Sequence, residues 1–461
     1  MVFSSFEFLF RFLPIFLVVY YLTKEQYRNL VLLLGSFLFY TMGEKEYVIL
    51  LLASIVINYV IGIGMYPEKD AADQTKERKP GGQQKVLLFL ALLFDFGSLF
   101  FFKYSGRAEK LPLGISFYTF QIVGYIIDVY RNVVPAEKAF VKLGAYITMF
   151  PQLVAGPIVN YTEVRTNLSK RTLTYEAFED GLRVLILGLA AKVVIADRIG
   201  ILWNQLQVIG FHSISTPLAW LGAFAYSLQL YFDFAGYSMM AIGLGKMLGF
   251  TFPMNFCLPY ISKSVSEFWR RWHITLGRWF REYVYIPLGG NRKGKTRTFL
   301  NLMVVWALTA LWHGAQPNFL IWGAMLLVLL ALEKLFLYSY LDKSRVIGHI
   351  YVLTLVPVTW VAFAVMDVES LFTYYQRMFP FGGGNGGFGD VSDFVKYAGE
   401  YGSLFFIAML FSTPIPKRVY HWMKQNKVTE VLLNLILLGI LGVSLYYLAI
   451  STNNPFLYFN F

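Results

Sequence analysis

Long apolar runs separated by short polar connections constrain this chain more than any other feature. Prominent examples cover residues 12–22, 47–65, 86–102, 319–332 and 431–450. A bilayer crossing needs about 20 mainly apolar residues, and the sequence offers about a dozen such segments, several of them short or interrupted. We therefore predict an all-α, polytopic membrane protein.

The charge content agrees with a lipid-covered surface. Charged residues make up 15% of the 461 positions, and hydrophobic residues 57%, whereas soluble domains carry about 25% charged residues. The net charge of +12 would suggest nucleic acid in a soluble protein. Here most Lys and Arg lie in short connections, so the positive-inside rule explains them and no nucleic acid is expected. The first segment begins MVFSSFEF, without a basic leader or a cleavage site, and we expect it to be a retained helix.

Polar connections predict the topology of what we interpret as a single domain, residues 1–461. Residues 67–85 form the longest charged connection, and residues 291–297 (NRKGKTR) are strongly basic, so both are expected in the cytoplasm. The Gly-rich residues 379–390 are nearly free of Lys and Arg and are expected to face outward. They are not a phosphate-binding loop, because no Lys follows the glycines and no strand precedes them.

Of the five histidines, His313 stands out. It lies in the stretch LTALWHGAQPN, at the end of a long uncharged run, and ionisable residues in such segments commonly face a protein interior or a wet cavity and serve function. A core histidine that donates to a backbone carbonyl is the alternative. His349 and His421 lie in basic connections, where solvated or headgroup-facing side chains are expected. His212, in VIGFHSIST, gives only a slightly stronger signal.

Asp233 is an acid inside the aromatic run LYFDFAGYSMMAIG. It either takes part in chemistry or is a buried carboxylate that fixes helix packing through Tyr or backbone donors, since no basic residue is near it in sequence. The small residues after it could let helices approach closely.

Residues 266–285 (SEFWRRWHITLGRWFREYVY) have the period of an amphipathic helix. Aromatic side chains occupy one arc and arginines the other, so we expect one continuous helix in the membrane interface with its aromatic side towards the acyl chains. His273 lies at the border between the two arcs.

Other chemistries lack their sequence signals. Cys257 is the one cysteine, so neither an intramolecular disulfide nor a thiolate cluster can form. The sequence has no HExxH motif and no histidine pair at helical spacing, and we predict no metal site. A GxSxG nucleophile elbow is also missing.

Taken together, these segments resemble the membrane-bound O-acyltransferase (MBOAT) family, in its bacterial alginate O-acetylase-like branch. The resemblance covers nearly the whole chain and is densest at residues 252–294, including IPLGGNR, and at LWHGAQPNFLIWG (residues 311–323). One departure is Met239, where the family commonly has an acid after GYS, which leaves Asp233 as the acid of that motif. The resemblance implies a bundle of about a dozen transmembrane and re-entrant helices around a central tunnel, with an interfacial or re-entrant catalytic core at about residues 250–323.

The resemblance also implies site residues. His313, in the WHG element, corresponds to the histidine usually taken as catalytic, and His273 to the second histidine of the family pattern. His273 could orient a substrate or make a structural hydrogen bond. The basic residues could hold the phosphates of a donor nucleotide or lipid headgroups. The substrate-binding candidates are Asp233, Asn255, Arg270, Arg271, Lys293 and Trp312.

The implied activity is transfer of acetyl from cytoplasmic acetyl-CoA to a hydroxyl of an extracytoplasmic polysaccharide, with no permanently bound cofactor. A partner transferase of the SGNH type is also implied, because the chain has no soluble domain of its own that could modify a polymer. The location would be the bacterial inner membrane. A transporter or flippase, which commonly shows paired halves that we do not find, and a non-catalytic subunit of a polymer-export complex are the alternatives.

Overall fold

The structure, a computed structural model, describes residues 2–65, 80–106, 111–154, 156–380 and 389–451. Regular structure in these ranges is helical, without a β-strand, which confirms the all-α prediction. Most of the predicted cytoplasmic connection 67–85 and of the Gly-rich stretch 379–390 lies outside the described residues.

The chain divides into two compact units. One comprises Met1–Leu185 with Ser238–Pro253, and the other Ile186–Tyr237 with Met254–Phe461. The helices up to the middle of the chain are α1 Leu13–Leu22, α2 Arg28–Gly43, α3 Val48–Met65, α4 Gly82–Tyr104, α5 Ile115–Tyr130, α6 Phe140–Thr148, α7 Phe150–Leu153, α8 Tyr161–Ser169, α9 Tyr175–Ala190, α10 Asp197–Ile209 and α11 Thr216–Met247. The later helices are α12 Val265–Arg271, α13 Ile274–Phe280, α14 Gly294–His313, α15 Pro317–Leu332, α16 Tyr338–Lys343, α17 Arg345–Ala364, α18 Val368–Met378, α19 Ser392–Phe411, α20 Ile415–Met423 and α21 Lys427–Ile450.

Wider π-helical turns extend or join several of these helices. They comprise Glu7–Phe12 before α1, Ala191–Ala196 between α9 and α10, Arg281–Tyr285 after α13 and Glu333–Leu337 after α15. Such turns insert an extra residue and change which side chains face a neighbouring helix. Two of them carry buried charged residues of the second unit, Lys192 and Glu333.

Within the described residues, five helical stretches are long and apolar enough to cross a membrane: Val48–Met65, Gly82–Tyr104, Pro317–Leu341, Arg345–Ala364 and Lys427–Ile450. Four of them overlap the apolar runs named from the sequence. Their outer faces carry exposed aliphatic side chains such as Ile49 and Leu435, as expected where lipid replaces water. The polytopic membrane prediction is confirmed.

In the first unit, phenylalanines of the amino-terminal helix form a cluster with α2 and α7. Phe12 lies 5.6 Å from Phe39 and 5.4 Å from Phe150, measured between ring centroids. The first apolar segment is therefore a packed helix of this unit.

The expected single helix over residues 266–285 is wrong. The structure has two short helices, α12 and α13, and His273 between them has a φ of +42°, in the left-handed region. The aromatic side is also not turned to acyl chains, because Phe268, Trp272 and Trp279 are buried within the protein. The cause of the break is tertiary: the N–H of Ile274 donates to the main-chain carbonyl of Asn255 at 2.9 Å.

Candidate active site

His313 is the last residue of α14, and aromatic rings of α15 and α17 surround it. Its ring lies 5.1 Å from Trp322 and 5.0 Å from Phe363, both edge-on, and 6.0 Å from Phe319, between centroids. The residue is 4% exposed. The imidazole is therefore held inside the protein and does not face lipid.

Gly314 permits this arrangement. A Cβ atom at this position would lie 2.7 Å from Cε2 of Phe319, much closer than carbon atoms approach. The glycine of the WHG element thus allows the Phe319 ring to pack beside His313.

Four tryptophans hold the helices around this site together. Trp269 of α12 contacts Trp306 of α14 at 5.0 Å, Trp322 of α15 at 5.7 Å and Trp360 of α17 at 5.8 Å. Each such aromatic pair contributes about 0.5–1.5 kcal/mol beyond area burial. The tryptophan cluster therefore fixes α12 against the helices that carry His313 and its neighbours.

His273 is held by Asn255. The Oδ1 atom of Asn255 accepts from the backbone N–H of Thr275 at 3.3 Å and from its hydroxyl at 2.9 Å, and Nδ1 of His273 lies 3.1 Å from the same oxygen. Because the amide oxygen Oδ1 can only accept, Nδ1 of His273 must carry the proton and donate to it. The lone pair of a neutral His273 is then on Nε2.

Trp312 connects the two histidines. Its ring centroid lies 4.7 Å from that of His313 and 6.4 Å from that of His273. The ring of Phe234 of α11 also contacts that of His273, edge-on, at 4.7 Å between centroids. The structure therefore brings His273, Trp312, His313 and Asn255 into one neighbourhood.

Asp233 has a basic partner that is distant in sequence. Its Oδ1 lies 2.7 Å from Nζ of Lys192, and the same ammonium binds Asp197. Lys192 and Asp233 are both buried. The expectation that Tyr or backbone donors satisfy Asp233 missed this partner, because Lys192 lies one helix earlier. The predicted close approach of helices is confirmed at Gly236, where a Cβ would lie 2.7 Å from the carbonyl oxygen of Gly188.

The basic candidates lie apart from these contacts. Arg270 and Lys293 are exposed. Arg271 pairs with Glu267 at 2.8 Å and donates to the carbonyl of Cys257 at 3.2 Å. Within the described ranges no group of three or more His, Cys, Asp or Glu could hold a metal ion.

Sequence reasoning missed Lys192, Glu333 and Trp360. The first two are charged residues inside apolar runs, the same signal that pointed to Asp233. Trp360 lies in the mainly apolar second half of its helix and has no local signal.

These features define a polytopic helical membrane protein with a buried, aromatic-enclosed pair of histidines. Residues 138–375 match the model of the membrane-bound O-acyltransferase family, MBOAT, and this range contains both histidines. The chain belongs to that family and is a membrane-bound O-acyltransferase.

Similar proteins support the branch. The chain is 40% identical to probable alginate O-acetylase AlgI of Pseudomonas aeruginosa, over 83% of this chain and 75% of that protein. It is 30% identical to the peptidoglycan O-acetyltransferase of Helicobacter pylori, over 82% of this chain and 80% of that protein. It is also 30% identical to the teichoic acid D-alanyltransferase of Bacillus subtilis, over 50% of this chain and 62% of that protein. The predicted alginate O-acetylase-like branch is confirmed.

Proposed function

We propose that this protein transfers acetyl from cytoplasmic acetyl-CoA to a hydroxyl of an extracytoplasmic polysaccharide, directly or through a partner transferase of the SGNH type. The similar proteins from Pseudomonas aeruginosa and Helicobacter pylori, an alginate O-acetylase and a peptidoglycan O-acetyltransferase by name, support the acetyl group and the polysaccharide. The same relatives and the spanning helices support a multi-pass location, which we place in the bacterial inner membrane.

The observation that carries the proposal is the enclosure of His313 within the family-matched range. A neutral imidazole can accept a proton from a hydroxyl. As the acceptor oxygen forms its bond to the thioester carbonyl carbon, the hydroxyl proton passes to His313. The tetrahedral intermediate then breaks its carbon–sulfur bond, and the imidazolium returns the proton to the departing thiolate of CoA.

His273 is the positioning residue in this proposal. With Nδ1–H donated to Asn255, its Nε2 can accept a hydrogen bond from the acceptor hydroxyl or from a donor amide. Trp312 has ring contacts with both imidazoles and helps to hold the two histidines near each other.

In this proposal acetyl-CoA binds at the basic amino-terminal end of α14. Residues 291–297 carry four basic side chains, and Lys293 immediately precedes α14. We assign the CoA phosphates to Lys293 and Arg270, whose side chains are exposed, with Arg271 held in place by Glu267. The same residues would bind lipid headgroups if the donor enters elsewhere.

The test is acetyl transfer from labelled acetyl-CoA by purified protein, with a polysaccharide acceptor. His313→Ala should lower CoA release by about 10²–10⁴-fold, the range of a general base. The matched control is His421→Ala, an exposed histidine of α20, which should keep the original rate. Equal CoA release by the original protein and a folded His313→Ala variant would refute the assignment of the base.

A further inference from the structure

A cavity of about 510 Å³ lies in the second unit, between α10, α19 and α21, and neither histidine is among its lining residues. Its wall combines five aliphatic residues, two tyrosines and five polar or charged residues. The lining that matters here is Asp197, Arg198, Ile201, Asn204, Tyr397 and Tyr447. A wall of this mixed kind matches an amphipathic ligand, with a charged part and an apolar part.

The charged part of the cavity carries both signs. The guanidinium of Arg198 lies 4.9 Å from the centroid of the Tyr447 ring, on its face, and Arg198 is exposed. The neighbouring Asp197 binds the buried Lys192, which also binds Asp233. The charged residues of the lining are Asp197 and Arg198, one of each sign, so the wall carries no net charge to offer an anion alone.

The residues beside the cavity at the end of α21 are of the kind found at a membrane interface. Tyr447 is three residues before the end of the spanning helix α21, and its neighbour Tyr446 is 61% exposed, as in the aromatic belts at headgroup depth. The opposite end of α21 begins at Lys427, next to the basic helix α20. By the positive-inside rule, the cavity end of α21 is the extracytoplasmic end.

We infer that this cavity binds one phospholipid of the extracytoplasmic leaflet with an amine-bearing, zwitterionic headgroup. The phosphate accepts from Arg198 and Asn204, and the ammonium donates to Asp197. The glycerol and first acyl carbons pack on Ile201 and the other aliphatic residues. This site is separate from acyl transfer, and it does not depend on the function proposed above.

A sugar of the acceptor polymer fits the cavity less well. Sugars stack on free aromatic faces, but the guanidinium of Arg198 already covers one face of Tyr447. The aliphatic side chains Val193, Ile201 and Ile450 of the wall would remain without apolar contacts if a hydrophilic sugar filled it.

The test uses the full-length protein, delipidated and then titrated with short-chain phosphatidylethanolamine, phosphatidylcholine, phosphatidylglycerol or an oligosaccharide, with bound ligand counted by native mass spectrometry. The original protein should bind one phosphatidylethanolamine in preference to the others, because choline lacks the N–H donors and glycerol lacks the cation. Arg198→Gln should weaken this binding about tenfold, as expected for the loss of a charged hydrogen bond.

Two further variants keep the result interpretable. Ile201→Trp fills the cavity and should abolish binding, whereas Arg345→Gln, an exposed arginine at the start of α17, should leave it unchanged. Thermal unfolding without lipid checks that each variant is folded. Preference for phosphatidylglycerol, phosphatidylcholine or the oligosaccharide, or unchanged phosphatidylethanolamine binding by Arg198→Gln, would overturn the inference.

Discussion

At the scale of single residues, His273 combines a strained backbone with a fully enclosed ring. It lies outside the five candidate spans, between α12 and α13, and is 3% exposed. Burial lowers the pKa of His273 to about 3, so the imidazole is neutral at physiological pH. A neutral ring with its proton on Nδ1 suits hydrogen-bond acceptance by Nε2, and it leaves proton transfer to His313.

This burial predicts a pH-dependent stability. A histidine in the unfolded chain has a pKa of about 6.5, so below that pH the unfolded state binds a proton that the folded state excludes. Protonation of His273 in the unfolded state therefore has no effect above pH 6.5. As the pH falls from 6.5 towards 3, it lowers the free energy of unfolding by at most about 1.4 kcal/mol per pH unit. His273→Gln should therefore flatten the fall in melting temperature between pH 6.5 and 5 in detergent. The exposed His212→Gln serves as control, and an identical slope for His273→Gln and the original protein would contradict the assignment.

At the scale of elements, the break between α12 and α13 explains why helical periodicity gave a wrong prediction for residues 266–285. In a continuous helix the N–H groups of Ile274 and Thr275 would bond within the helix. Here they donate to the main-chain and side-chain oxygens of Asn255, and the carbonyl of Arg271 accepts from Cys257. Periodicity records only neighbours three and four residues apart, so it cannot show a competing partner from about 20 residues earlier.

The amino-terminal end of α12 has its own distant partner, Glu333. This buried carboxylate accepts from the backbone N–H groups of Val265 and Ser266, the latter at 2.8 Å. An unsatisfied buried N–H costs about 1–3 kcal/mol. Glu333→Leu should therefore lower the melting temperature and, by shifting α12 and His273, the rate of acetyl transfer.

Glu333→Gln retains one acceptor oxygen and should have a smaller effect on both quantities. The exposed Glu369→Leu in α18 is the matched control for loss of a carboxylate. A Glu333→Leu variant with the original melting temperature and activity would show that the hydrogen bonds of Glu333 do not stabilise α12.

At the scale of the whole molecule, the buried Lys192–Asp233 pair joins helices that are separate in sequence. Lys192 lies in the π-helical turn between α9 and α10, and Asp233 in α11. The wide turn presents Lys192 to two carboxylates at once. This arrangement favours a structural role for Asp233 over substrate binding.

Substitutions of this pair should therefore be asymmetric. Lys192→Met leaves the buried Asp233 and the partly buried Asp197 without their cation and should destabilise the protein by about 3–5 kcal/mol. Asp233→Asn leaves Lys192 and Asp197 as a balanced pair, so it should be tolerated and retain acetyl transfer. Denaturant unfolding in detergent and the transfer assay measure the two effects. Loss of activity by a stable Asp233→Asn protein would instead place Asp233 in substrate binding.

The sequence by itself determined the membrane character and the family, and it indicated His273 and His313 as candidate site residues. A membrane span is recognised from the summed hydropathy of about 20 consecutive residues, and the motifs around His273 and His313 are also made of consecutive residues. Both signals can therefore be read from the sequence without the fold. Charged residues in apolar runs carried the same kind of information for Asp233, and could have done so for Lys192 and Glu333.

Only the tertiary structure decided which partners these residues have. The bonds of Asn255 to the break before α13, of Glu333 to α12, and of Lys192 to Asp233 all join residues far apart in the chain. Each depends on helix packing that places two polar groups within about 3 Å, and no local pattern encodes that distance. The cavity beside Arg198 arises in the same way, because three separate helices must meet before its wall exists.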